Sequence, residues 1–595
     1  MKAFTIFKDI FIPVPPVKAA GKSQAGHTVE AISSTAVPAG ASGFAKDGDK
    51  EADINYDVVT DYSSDLDIYD IGHTHRRLKN RHIQLIGIGG TIGVALFVSV
   101  SSQLHKSGPL GLLLGCIIWC MPILAVTAAC AEMVCYLPIP SPFIRLAERC
   151  VDESFSFMTG WNFWVLECSL IPFELTLFNT LIHYWRDDYS AAIPIAVELA
   201  LYFLINVSAV KYYGEAEFWL SLGKVILAVG LMVFTFITMV GGNPLHDVYG
   251  FRNWQPPMAE YIHTGNLGRF QGLLGAMITY SFLIAGPEYV SMSAGEVINP
   301  RIILPSAYKQ VAYRLTIFFV GGALAMGTVC FWNDPGLAAA IEEGKPGAGS
   351  SAYIVAMNNM KVKILPDIVN VMLLTSAFSA GNSYTFCSSR SLYGMALEGK
   401  APRLFSHCNK AGVPIYAVLL STAWGLLAFL QLSESSATVL NWIVNLVTAS
   451  QMINFVSILI TYLHFRRAVL QQGIDRSAFR FKAWGQPYIS IAAAIAIICM
   501  IGVQGYEVFL PGGWSVETFL FSYLMVFIDI ALFVGWKLLK RTKYINPMDV
   551  DLVSGLDEIE AHEKLLAHER SLYGREKEPW YNRVVDFIFG NPDQS

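Results

Sequence analysis

Residues 86–97 read IGIGGTIGVALF, an apolar run in which Gly87, Gly89, Gly90 and Gly93 fall within roughly two helical turns. Each glycine weakens a helix and lets backbone come close to a neighbour or a ligand. The run therefore predicts a helix that is broken at membrane depth. Freed N–H and C=O groups persist in hydrocarbon only where they line a cavity or meet a ligand, so such a break points to a binding site. Close helix packing through small residues is the alternative reading.

Outward from this run the chain is built for lipid. Of its 595 residues 53% are hydrophobic and 15% charged, against roughly 25% charged in soluble domains, and the mean hydropathy is +0.44. Runs of about twenty apolar residues fall at 83–102, 110–129, 155–181, 191–210, 218–240, 270–292, 311–332, 364–387, 415–432, 439–462, 488–509 and 518–538. The expectation is an all-α polytopic membrane protein of about twelve spans. Residues 1–80 read as a polar cytoplasmic tail in which Lys8 and Asp9 interrupt the apolar patch, leaving no signal-peptide core. Residues 81–540 form the membrane domain and 541–595 a cytoplasmic tail.

Charge supports that layout. Lys and Arg collect in alternate loops, among them Arg76, Arg77, Lys79 and Arg81 before the first span and Lys537, Lys540, Arg541 and Lys543 at the last. The bias is roughly three to one and places both termini in the cytoplasm. A net charge of -5 with dispersed basic residues argues against nucleic acid as a partner. The 10 cysteines lack zinc or disulfide spacing and read as small core residues. No P-loop or dinucleotide fingerprint is present, so neither an enzyme nor an ATP-driven pump is indicated, and no cofactor or metal is expected. His562 and Glu563 open like a zinc-protease motif, but Leu566 holds the second-ligand position.

Polar residues inside the spans separate a transporter from an anchor. In span six, Gly286 and Pro287 interrupt TYSFLIAGPEYVSMSAGE (279–296), and Glu288 is ionisable at membrane depth. It supports freed backbone or meets substrate. Two interrupted helices five spans apart suggest two repeated halves with half-helix dipoles facing a central site. Span three carries Glu167 and Glu174, seven residues apart and near one helical face. An acidic pair there favours a cationic substrate; for Glu167, an outer-vestibule position or an interhelical hydrogen bond is the alternative. Lys224 in span five either snorkels to the cytoplasmic interface or sits buried, where its protonation follows conformation. Ser379, Asn382 and Ser383 in span eight, and Asn441 and Asn445 in span ten, line a pathway or bond between helices. Of the aromatics Trp161, Trp164, Tyr280, Phe282, Tyr384 and Trp442, Phe282 is the one assigned to the site; the rest read as packing or interface belts. The tail stretch LDEIEAHEKLLAHERSLYG suggests an amphipathic helix for partner binding, such as trafficking or ubiquitin-ligase adaptors.

The stretches LKNRHIQLIGIGGTIGVALF, GWNFWVLECSLIPFEL, KYYGEAEFWLSLGKVI, AGPEYVSMSAGEVINPRIILPSA, SAFSAGNSYTFCSSRSLYGMALEGKAPRLF and HFRRA together resemble the fungal amino-acid permeases of the amino acid-polyamine-organocation superfamily. The resemblance implies a five-plus-five inverted-repeat (LeuT-like) fold with two trailing helices and proton-coupled uptake at the plasma membrane. It implies that Thr91, Gly93, Val94 and Ala95 meet a substrate carboxylate, that Phe282 and Ala285 face its amino group, that Glu174 lines the path and that Lys224 couples protons. The family's usual GGTIGTGLF reads GGTIGVALF here, so Val94 replaces a hydroxyl residue and Ala95 a glycine. That departure points toward carnitine-like betaines or polyamines, the substrates of the branch this chain resembles. A nutrient sensor built on the same fold is the second functional expectation.

Overall fold

A computed structural model describes residues 13–14, 76, 78–89, 93–186, 188–208, 210–342, 351–432 and 436–573. Helices dominate: α1 (Asn80–Gly89), α2 (Ala95–Tyr136), α3 (Pro142–Cys150), α4 (Glu153–Ile182), α5 (Ala192–Val207), α6 (Val210–Met239), α7 (Gly265–Leu283), α8 (Pro287–Met292) and α9 (Pro300–Arg314) form the first part. After a π-helical turn at Leu315–Val320 come α10 (Gly321–Val329), α11 (Pro335–Glu342), α12 (Ala352–Asn359), α13 (Leu365–Leu397), α14 (Ile415–Trp424), α15 (Ser436–Gln471), α16 (Tyr488–Val503), α17 (Val516–Lys540) and α18 (Leu556–Tyr573). The described strands are β1 (Pro13–Val14) and β2 (Cys408–Asn409), a short antiparallel pair.

Each of the twelve apolar stretches holds helix, and eight helices among the described residues are long and apolar enough to cross a membrane, with Ala192–Val207 and Tyr488–Val503 apolar but shorter. Boundaries differ where sequence periodicity is silent. Spans one and two run together as the 42-residue α2, divided by a kink at Gly108 (φ 69°) ahead of Pro109. Proline removes a helical donor and clashes with the preceding turn, and the corner is closed by Ala259 N donating to Ser107 O and Leu110 N to Pro257 O. Span nine tightens into a 3-10 segment from Gly425.

Both expected breaks are present. α1 ends at Gly89 and α2 begins at Ala95, with Gly93 and Val94 outside regular helix. α7 ends at Leu283 and α8 begins at Pro287, leaving Ile284, Ala285 and Gly286 between them. Gly286 has φ 152°, a conformation that a side chain disfavours, and Pro287 then opens α8 with the fixed φ suited to a first helical turn. The buried interior packs α4 along α13 and α2 along α7, so span three and span eight flank the two breaks.

The N-terminal end of α4, the C-terminal end of α17 and the chain that follows it are tied together by polar contacts. Asp152 caps α4 by accepting from Ser154 N at 2.7 Å, and it also accepts from Lys537 and Thr542 of the last span's end. The C-terminal segment runs across this surface: Ile545 N donates to Val151 O at 3.0 Å, Gln472 Nε2 to Val550 O at 2.9 Å and Arg149 Nη1 to Ser554 O at 2.8 Å. α18 is a helix over Leu556–Tyr573, in the expected tail stretch. One of its faces lies against the chain's own loops, through buried Ile559 and a 3.0 Å contact between His562 Nε2 and Ile298 O.

Candidate substrate-binding site

Gly93 stands where the first break meets span three. A Cβ on it would lie 2.9 Å from Glu174 Oε1 and 3.9 Å from Tyr384 Oη, so the absence of a side chain is what lets backbone and carboxylate face each other. Val94 and Ala95 follow, both buried. Thr91 lies outside the described residues, as do Gly90 and Ile92. Glu174 is 1% exposed and its Oε2 has no hydrogen-bond partner among the described residues. A buried carboxylate with an unmatched oxygen costs free energy unless something donates to it. It suits an incoming amine.

The second break faces the same span. Phe282 packs edge-on against Phe173, with ring centroids 5.2 Å apart, one residue from Glu174. Ala285 is buried beside it in the non-helical link. Of the two readings of Glu288, backbone support matches its contacts: Oε2 accepts from Gly286 N at 3.2 Å and Oε1 from Gln451 Nε2 at 2.7 Å. A carboxylate at the start of α8 also complements the helix dipole.

Glu167 is fully buried, which removes the outer-vestibule alternative. Neither of its oxygens has a hydrogen-bond partner among the described residues, and Glu288 and Tyr289 are its ionisable neighbours. Lys224 is 1% exposed in mid-α6, so its ammonium does not snorkel to the surface, and the charges of Glu217 and Glu174 both act on it. Ser379 and Asn382 turn out to be bonded between helices. Ser379 Oγ donates to Glu217 Oε1 at 2.6 Å, and Asn382 Nδ2 reaches Glu217 Oε2 at 3.5 Å. Asn441 is exposed near the start of α15 and takes no part in this buried network. Trp442 stacks on Phe521 of the last span, and Trp164 packs against Trp161 and Trp424, as packing aromatics do.

Sequence reading missed Glu217 and Glu198. The signal for Glu217 was present, since it lies seven residues before Lys224 on the same helical face. Glu198 on α5 accepts from Tyr202 Oη at 2.5 Å and keeps a second oxygen without a partner among the described residues. Glu167, Glu174, Glu198, Glu217 and Glu288 gather buried carboxyl groups around the breaks, and two of them, Glu217 and Glu174, act electrostatically on buried Lys224.

Helices broken at membrane depth around buried carboxylates, in a chain with this many apolar spans, define a membrane transporter and not an enzyme. The chain belongs to the amino acid permease family, which it matches over residues 82–545. It is 53% identical to the general amino acid permease AGP2 of Saccharomyces cerevisiae over 90% of this chain and 92% of that one. The proline-specific permease of the same yeast is 39% identical over 81% of this chain and 79% of its own, and the lysine-specific permease 32% over 86% and 82%. Among solved structures, a manganese transporter of Eremococcus coleocola aligns with 77% of this chain and 94% of its own at a TM-score of 0.48 and 15% identity, too distant to add to the fold described above. The protein is therefore a multi-pass transporter of small amine-bearing substrates.

Proposed function

We propose that this permease is a proton-coupled importer of amine-bearing organic cations or amino acids, with carnitine-like betaines and polyamines preferred. It resides in the plasma membrane with both tails cytoplasmic. The observation that carries this reading is Glu174: a buried carboxylate with an oxygen that has no hydrogen-bond partner among the described residues, set against the side-chain-free backbone at Gly93. The substrate amine takes Glu174 and the ring of Phe282, while any carboxylate of the substrate turns to the backbone of residues 91–95. Val94 offers no hydroxyl and Ala95 adds a Cβ, which narrows that anionic subsite and favours molecules whose cationic end supplies most of the recognition. The similarity to a general permease and to a lysine-specific one is compatible with such a substrate.

Lys224 is the proton-coupling residue in this reading. Its burial within electrostatic reach of Glu174 links its charge to the state of the site. Glu288 supports the second break, and Gly286 supplies its geometry. The test is radiolabelled uptake in permease-deficient cells with carnitine, spermidine and a panel of amino acids. Saturable uptake of an amine-bearing substrate that rises at acidic external pH is expected, whereas no saturable flux of any of them favours the sensor.

A further inference from the structure

Glu217 has no task in that scheme, yet it is among the best-held carboxylates in the membrane interior. It is 0% exposed. Ser221 Oγ donates to its Oε1 at 2.8 Å from one turn along α6, and Ser379 Oγ donates to the same oxygen at 2.6 Å from α13. Asn382 Nδ2 reaches Oε2 at 3.5 Å, and the Oδ1 of that asparagine accepts from Asn206 Nδ2 of α5 at 2.8 Å. Donors from its own helix and from span eight, backed by span four, therefore fix this charge in place.

Lys224 stands on the same face of α6, about two turns on. Among the described residues, Glu217 and Glu174 both act electrostatically on its ammonium, and the two differ in how they are satisfied. Glu217 is locked by hydrogen bonds, while Glu174, beside the first break, keeps an oxygen without a partner among the described residues. A lysine drawn fully to Glu174 would neutralise the carboxylate that the substrate amine needs.

The geometry points to Glu217 as a positioning residue whose fixed charge holds the Lys224 ammonium toward α6 and so leaves Glu174 available to the substrate. This rests on the reading of Glu174 and Lys224 given above. Ser379 and Asn382 act one step further out, by holding Glu217. The competing role is a staple between α6 and α13 in which hydrogen bonds matter and the charge does not.

A double-mutant cycle separates the two roles. Uptake per surface molecule is measured for wild type, E217Q, K224M and the E217Q/K224M pair, with a substrate that the wild type transports. E217Q keeps an acceptor for Ser221 and Ser379 and removes the charge. It is expected to raise KM about tenfold while kcat stays within about twofold, and to add no further KM change when Lys224 is already Met. An unchanged KM in E217Q, or the same KM rise on top of K224M, overturns the proposal. If E217Q does not reach the surface, the cycle is run with S379A/N382A, which removes the span-eight donors to Glu217 but keeps its charge; a KM rise that vanishes in the K224M background is expected, and one that persists overturns it. K224M transporting as wild type would sink the role given to Lys224 itself, whereas an impaired K224M with additive Glu217 effects sinks only this inference.

Discussion

A methyl group on Gly93 would meet Glu174 Oε1 at 2.9 Å, which makes the glycine of the first break and the glutamate of span three a matched pair. Contact that close is tolerated only if the carboxylate moves, and the carboxylate is walled in by a buried interior. G93A is therefore expected to lower uptake roughly tenfold or more with surface protein unchanged. Uptake normalised to surface-labelled protein checks it, and near-normal flux would mean that Glu174 swings freely.

Removing the charge at the other member of the pair isolates its electrostatic role. E174Q preserves size and one acceptor oxygen. Uptake of a cationic substrate should fall by roughly one to two orders of magnitude, mostly through KM. Unaltered kinetics for cations would take Glu174 out of the site.

Lys224 is tested through pH. K224A should leave a transporter whose residual uptake no longer depends on external pH, because the titrating group that follows conformation is gone. Intact pH dependence in a K224A protein that reaches the surface contradicts the coupling role.

At the N-terminal end of α4, burial works against ionisation of Asp152, but hydrogen bonds from Lys537, Thr542 and Ser154 outweigh it and hold the carboxyl below the usual aspartate value. A lowered folded value stabilises above the unfolded value, about 3.9, and that contribution is lost as pH falls through the folded one. D152N should thus unfold at lower temperature than wild type at pH 7, with the gap closing below about pH 4. Thermal unfolding in detergent across pH checks it, and a constant gap would show that the carboxylate charge is not the cause.

Further in, Arg390 Nε donates to Glu296 Oε1 at 3.0 Å, with both side chains almost wholly buried and the guanidinium over Phe386 at 4.1 Å. Removing one partner of a buried pair typically costs about 3–5 kcal/mol, because the other charge is left uncompensated. E296A is expected to lower the unfolding temperature by several degrees, more than any exposed pair such as Arg186 with Asp188.

How much of this could be read from the chain follows from the range of the interactions. The glycine cluster at 87–93 and the Gly286–Pro287 pair act through local backbone physics, so both breaks were legible. Glu174 stands out as a carboxylate inside an apolar span, and motif resemblance adds its role and that of Phe282. Burial of Lys224 was not decidable, because a lysine's reach to the interface depends on where the helix sits. The partners of Glu217 come from span eight, and no periodicity in α6 reveals that Ser379 and Asn382 point at it. The kink at Gly108, which divides spans one and two within α2, likewise depends on the packing of residues 257–259 against it.

The central claim is that the Gly93–Glu174 pair belongs to a site that moves amine-bearing substrates with protons. Purified protein in liposomes, with an imposed inward proton gradient and tritiated carnitine or spermidine outside, tests it most directly. Saturable accumulation that collapses with the gradient and is lost in E174Q is the predicted result. Accumulation indifferent to the gradient, or undiminished in E174Q, would contradict it.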